Sequence, residues 1–163
     1  MNLVYDRTAE DVERALALAK KAEAGTLTDV EKTEWLAGMK GCYNATDMNR
    51  VSTAVQTLAV ELNAAGYAVE IMPQSFAETD IVRLSQWRQY LANVQALRDA
   101  YYTLAETGQL PAPEDRLDYI GANNIEKILA DIDLLLDGMK SIYRKAGTFT
   151  AGGGYTRQII RSV

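Results

Sequence analysis

The chain contains no histidine and only one cysteine in 163 residues. Without histidine the commonest general base and metal ligand is missing, and with it any Ser–His or Cys–His nucleophilic pair. The lone thiol, Cys42, excludes an intramolecular disulfide and fits a reducing compartment or a protein indifferent to redox conditions. A zinc site would have to draw on carboxylates and that one thiol, a poor donor set. No apolar run approaches the ~18 residues of a membrane span. Tyr5, Asp6 and Arg7 interrupt the start of the chain, so no signal peptide is expected.

Positive charge is also scarce where a nucleic-acid surface would need it. The net charge is −5. From Lys140 onward there are five basic residues (Lys140, Arg144, Lys145, Arg157, Arg161) and no acidic one, leaving 12 basic and 22 acidic residues before them, a net of −10. An acidic body lacks the broad basic face that releases counterions from nucleic acid. A basic tail on such a body suits docking on an acidic neighbour, including another copy of the chain. Apolar content of 48% and charged content of 24% are those of an ordinary globular domain with room for a real core.

The patterning predicts a mainly α fold, a bundle of about five helices. Thr8 to Asp11 offers a capped start, and Val12, Leu16 and Ala19 follow as a thin apolar stripe that Gly25 stops. Thr28 and Glu31 have the spacing of a capping box, ahead of Val30, Trp35, Leu36 and Met39, with Gly38 and Gly41 beyond. Thr46 or Asp47 is the expected cap of a third helix carrying Met48, Val51, Val55, Leu58 and Leu62, with Gly66 as its stop. Residues 67–72 alternate weakly and end at Pro73, which allows a short β-hairpin strand paired with 1–5, or an extended crossover. Ser85 is the expected cap of a fourth helix with Trp87, Tyr90, Leu91, Val94, Leu97, Tyr101 and Leu104 on its apolar side, before a linker with Gly108, Pro111 and Pro113. In the last helix, 123–143, three rows repeat at seven residues: Ile125, Ile132 and Met139; Ile128, Leu135 and Ile142; Leu129, Leu136 and Tyr143. That stripe is wide enough for a multi-helix core. Glu126, Lys127, Asp133, Asp137 and Lys140 form the expected polar face.

The body is expected to span 1–147 and a glycine-rich basic arm 148–163. Gly152, Gly153 and Gly154 cannot hold helix, and the β-branched residues after them favour extended chain. Phe149, Tyr155, Arg157, Ile159, Ile160 and Arg161 are the candidate interaction residues, set to meet a partner surface. The three glycines lack the spacing and the Lys-Ser/Thr of a phosphate loop. Asp133 and Asp137 share a helix face and would suit a divalent cation or an acid/base pair, but a solvated face is the plainer reading. Cys42 has no candidate base and reads as a small half-buried thiol near a helix start. Asn44, Ala45 and Thr46 match a glycosylation sequon, but a turn into a helix cap is the plainer reading. Tyr90, Tyr101 and Tyr143 have core spacing, while Trp87 suits either core or a sugar platform.

Three blocks also carry a resemblance. Gly41, Tyr43, Asn44, Thr46, Asp47, Asn49, Arg50 and Val51 resemble a recurring stretch in small proteins encoded by prophages and phages of Gram-positive (Firmicutes) bacteria, proteins that usually sit near tail or baseplate genes. The similarity continues at Leu58 and 63–67, at Asp80 and Ile81, at 90–94 with Leu97 and Arg98, and through Ala122, Asn123, 125–129, Asp131, Asp133, Leu135, Leu136 and Met139. It covers roughly residues 25–149. It departs at Asn124, where those proteins tend to have Asp, and in 146–149, where they tend to end. What the resemblance implies is a virion-associated structural role and no activity; with the composition, the expectation is no enzyme, no cofactor, no metal, no nucleic acid and no membrane, and partners that are other virion proteins or further copies. The expected location is the virion, after the host cytoplasm. The alternatives are a soluble adaptor or a receptor or cell-wall-sugar binding module using Trp87, and a carboxylate-dependent hydrolase.

Overall fold

The computed structural model describes residues 1–146, with side chains through 142, and over that span the chain is helical, as its patterning predicts. The helices are α1 (Ala9–Glu23), α2 (Asp29–Leu36), α3 (Ala45–Ala64), α4 (Leu84–Ala100) and α5 (Tyr119–Ala146). Their starts follow from side chains that satisfy free amides. Thr8 with Asp11, and Thr28 with Glu31, form reciprocal capping boxes on α1 and α2. α3 has a third such box, but its cap is Asn44, not Thr46 or Asp47: Asn44 Oδ1 accepts from the Asp47 amide, and Asp47 returns the bond to the Asn44 amide. Nor does Ser85 cap α4. That helix begins at Leu84, its cap residue Arg83 makes no side-chain cap bond, and the Gln86 side chain accepts from the Arg83 amide instead. α3 stops where Gly66 takes φ 92°, which lets the Tyr67 amide turn back to the Leu62 carbonyl.

α3, α4 and α5 pack against one another and share one core, including Val51, Leu58, Val94, Leu97, Ile128 and Ile132. All three run in the same direction. Arg50 meets Glu126 near the starts of α3 and α5, and Lys140 meets Glu61 near their ends. Tyr101, where α4 ends, packs edge-on against Tyr67 just beyond α3 and reaches Met139 near the end of α5. Parallel neighbours need long return connections, and 67–83 and 101–118 supply them. α1 and α2 form a separate hairpin held by Arg14–Glu34 at 2.7 Å and Lys21–Glu31 at 2.5 Å. Gly41 lets this hairpin approach the following loop, since a Cβ there would lie 2.0 Å from the Asp11 carbonyl oxygen.

Among the described residues there is no strand, so the β-hairpin alternative fails and the extended crossover stands. Segments 1–5 and 67–72 do not pair with each other. In 67–72 and just beyond both segments, asparagine carboxamides instead give and take one hydrogen bond with the same backbone residue, the bonding that a neighbouring strand would have offered. Asn123 clamps Arg7 (N–H to Oδ1 3.0 Å, Nδ2 to carbonyl 2.8 Å). Asn63 clamps Val69 (3.1 and 2.9 Å), Asn93 clamps Met72 (3.0 and 2.8 Å) and Asn49 clamps Phe76 (2.9 and 2.8 Å). The second return is tied by Arg98 to the Gly108 carbonyl, Asn124 to the Gln109 carbonyl, and the Thr107 hydroxyl to Asp131.

α5 begins at Tyr119, four residues before its expected start, and corrects the expectation for its two faces. Ile125, Ile128, Leu129, Ile132 and Leu136 are buried as their rows predict. Glu126, expected on the solvated side, is 0% exposed, whereas Ile142 is 69% exposed and Leu135 only half-buried. Helix length explains the exposure of Ile142. Twenty-eight residues reach ~42 Å, against ~30 Å for α3 and ~26 Å for α4, so the last turns of α5 outrun the bundle. Tyr101 and Leu104 likewise fall beyond the end of α4, although Tyr101 still packs on the core. Tyr143's side chain, the arm 148–163 and the six interaction candidates in it lie outside the described residues. Among the described residues no helix is long and apolar enough to cross a membrane.

Candidate functional site

The most concentrated polar chemistry in the described body is a buried square of two guanidiniums and two carboxylates. Arg7 enters from the N-terminal segment, Asp47 and Arg50 from the first turns of α3, and Glu126 from α5. Each arginine touches both acids. Arg7 Nη2 lies 3.1 Å from Asp47 Oδ1 and 2.8 Å from Glu126 Oε1. Arg50 Nη2 lies 2.5 Å from Asp47 Oδ1 and 2.8 Å from Glu126 Oε1, while its Nε donates to Glu126 Oε2 at 3.0 Å. Glu126 Oε2 also accepts from the Val4 amide at 2.7 Å. Arg7 Nη1 donates to the Val4 carbonyl, and Arg7 Nε is buried without a partner among the described residues. The square carries no net charge, as burial demands of paired ions. Burial works against the charge of Arg50, but its bonds to Glu126 and Asp47 outweigh that and hold its pKa above the usual arginine value.

The Arg7 guanidinium stands 5.3 Å from the ring centre of Tyr43, whose hydroxyl meets that of Tyr90 at 2.6 Å. Burial pushes both phenols above their ordinary range, so at neutral pH they hold their protons and neither can act as a base. Trp87 stacks on the other side of this layer, 5.2 Å from Tyr90 and tilted by 18°. One face of Trp87 is thereby used within the fold. A cleft of about 720 Å³ opens beside the square, lined by Lys40, Thr46 and Glu78 as well as Trp35 and Leu36. A second, more apolar groove of about 610 Å³ lies between α1 and the start of α5, with Leu16, Trp35, Cys42 and Leu117 on its walls.

The other sequence candidates are dispersed. Cys42 is half-buried beside a helix start, and burial, with Asp47 nearby, raises its thiol pKa away from the reactive range. Asp133 lies 3.5 Å from the N-terminal ammonium and Asp137 lies 3.6 Å from Lys140, so the two carboxylates face separate partners. Asp131, in contrast, is buried against Lys127 and Thr107. Among the described residues no three acidic or thiol side chains gather as a metal site would require. Asn44 caps α3, the plainer of the two readings of its sequon.

The sequence pattern does not announce the square, because charged side chains are ordinarily exposed. A signal was present. Glu126 stands four residues after Ala122 and three before Leu129, on a row of α5 that is otherwise buried. Arranged this way the four charges can bind the N-terminal segment, α3 and α5 to one another, while Arg7, Asp47 and Arg50 also line the neighbouring cleft. No protein-family model, curated protein or solved structure matches this chain.

Proposed function

We propose that this chain is a non-enzymatic structural protein of a phage particle, a component associated with the tail or baseplate that assembles through protein–protein contacts. Its arm, 148–163, docks on a neighbouring subunit, which is another copy or an adjacent virion protein. The observation that carries this reading is the division of labour in the described body: the charges of its densest polar cluster pair with one another and tie the fold together, while α5 presents Leu134 and, nearer its end, Ile142 to solvent. The charge division agrees with it, since a basic arm has an acidic body to meet. The resemblance to prophage proteins contributes the setting. The residues that carry it are largely fasteners of the fold: Asn44 and Asp47 cap α3, Asn49, Asn63, Asn93 and Asn123 clamp the extended segments, and Arg50 and Glu126 belong to the square.

Mass spectrometry of purified particles is the direct test, with the chain expected as a stoichiometric component. Deleting 150–163 should leave the far-ultraviolet helix signal of the body unchanged and abolish incorporation. Normal incorporation of the truncated chain would refute the docking arm, and absence of the full chain from particles would refute the virion role.

A further inference from the structure

The α1–α2 hairpin is fastened to the three-helix bundle at one place and at little else. The chain enters it from Arg7, which the square and the Asn123 clamp hold to α5. It leaves through Tyr43, which packs on the core and directly precedes the α3 cap. Those two anchors touch, with the Arg7 guanidinium 5.3 Å from the centre of the Tyr43 ring. Residues 8–42 are therefore an excursion that leaves the bundle and returns to it at a single point. Among the described residues no hydrogen bond or ion pair joins 8–37 to anything from Tyr43 onward, and no side chain of 8–37 belongs to the shared core. The polar bonds of the hairpin are its own: two capping boxes, Arg14 with Glu34, and Lys21 with Glu31. Asp11 meets Lys40 at 3.7 Å, but Lys40 is part of the returning stem.

Both helices of the hairpin face open space where they meet the bundle. The groove of about 610 Å³ separates α1 from the start of α5, and the cleft of about 720 Å³ separates the end of α2 from the start of α3. The groove walls are apolar on both sides, with Val12, Leu16 and Ala19 across from Leu117 and Tyr119, and Leu16 is 54% exposed. A unit seated through so small a contact moves relative to its neighbour unless something else fastens it. The stems supply the hinges: extended backbone at Thr8 on one side, and 38–41 on the other, where Gly38 takes φ 85°. We infer that α1 and α2 form a lid, in which 8–37 swings as one rigid unit on the stems at Arg7 and 38–41 and opens and closes the apolar groove against the start of α5. Closing takes the Leu16 and Leu117 walls out of water, which favours it. Opening breaks no hydrogen bond or ion pair to the bundle. The two positions therefore differ little in free energy and both are populated. The inference is independent of the virion role.

The test is the distance distribution between pairs of spin labels on the full chain, in a Cys42→Ser background that has no other thiol. Glu10→Cys with Lys32→Cys reports within the hairpin, and Gln56→Cys with Ala92→Cys within the bundle, all four at exposed positions. Glu10→Cys with Gln56→Cys, and Lys32→Cys with Ala92→Cys, span the two. Both within-body pairs should give narrow distributions, and both spanning pairs broad or two-peaked ones. Gly41→Ala supplies the perturbation: its Cβ would lie 2.0 Å from the Asp11 carbonyl oxygen and 2.7 Å from the Val12 nitrogen, so the first turn of α1 must lift off the returning stem. That substitution should shift the spanning distances and leave both within-body distances where they were. Spanning distributions as narrow as the controls overturn the lid. A broad distribution within the hairpin overturns it too, since the unit would then be unfolding and not swinging, and so do spanning distances that ignore Gly41→Ala.

Discussion

Replacing Glu126 by alanine is the most demanding perturbation of this fold that a single substitution can make. The carboxylate accepts four hydrogen bonds: from the Val4 amide, from Arg7 Nη2, and from Arg50 Nε and Nη2. Without it the square goes from neutral to a charge of +1, with two buried guanidiniums left to share Asp47. Removing one partner of a buried ion cluster typically costs about 3–5 kcal/mol, because the remaining charge stays desolvated. A domain of this size is stabilised by roughly 5–15 kcal/mol in total, so Glu126→Ala should consume a large share of it. At ~2–4 °C per kcal/mol for a chain of this length, the melting midpoint should drop by ~6–20 °C. Glu126→Gln keeps the shape and an acceptor but not the charge, and its cost should fall between alanine and the parent. Urea denaturation followed by far-ultraviolet circular dichroism measures all three, with Asp133→Ala, at a partly exposed position off the buried row, as a control expected within ~0.5 kcal/mol. A cost for Glu126→Ala below ~1 kcal/mol would refute the reasoning, since it would mean that the square is open to water.

Asn93→Ala should cost ~1–3 kcal/mol by leaving both the amide and the carbonyl of Met72 unpaired, and Asn93→Asp should not rescue it, because a carboxylate cannot donate to that carbonyl. Hydrogen exchange at the Met72 amide would report the release directly. Ile132→Ala, at a fully buried position, should cost ~2–5 kcal/mol, and Leu135→Ala, half-exposed one turn on, should cost clearly less in the same urea titration; equal costs would place the α5 core face wrongly. The Lys21 ammonium, with the α2 cap, holds the Glu31 carboxyl down at about 2, below its usual 4.5. A lowered folded-state pKa means that this contribution to stability is present above about 4.5 and is lost as pH falls towards about 2. Glu31→Gln should therefore flatten the stability profile across that window and leave it unchanged in shape at neutral pH.

The helices were legible in the sequence because their determinants are local. Thr8 with Asp11 and Thr28 with Glu31 cap their helices with groups three residues apart, and Ile125, Ile128, Leu129 and Ile132 repeat at the period of one turn. Where several local candidates compete, as Asn44, Thr46 and Asp47 do, local spacing does not choose among them; the third box assigns the cap to Asn44 because Asp47 is needed to bond back to its amide. The long-range facts were not legible. That three successive helices run parallel depends on returns at 67–83, whose first residues alternate weakly like a strand, and at 101–118, a linker with Gly108, Pro111 and Pro113, and backbone groups of both bond to asparagines distant in sequence. That Glu126 is buried depends on Arg7, 119 residues away, and on Arg50, 76 residues away, because a carboxylate inside a core is tolerable only where opposite charges meet it. The exposure of Ile142 was decided by the shorter lengths of α3 and α4, since a helical row buries its apolar side chains only as far as its neighbours extend, while Leu134, between the fully buried Ile132 and Leu136, is exposed because it lies on the side of α5 turned away from them.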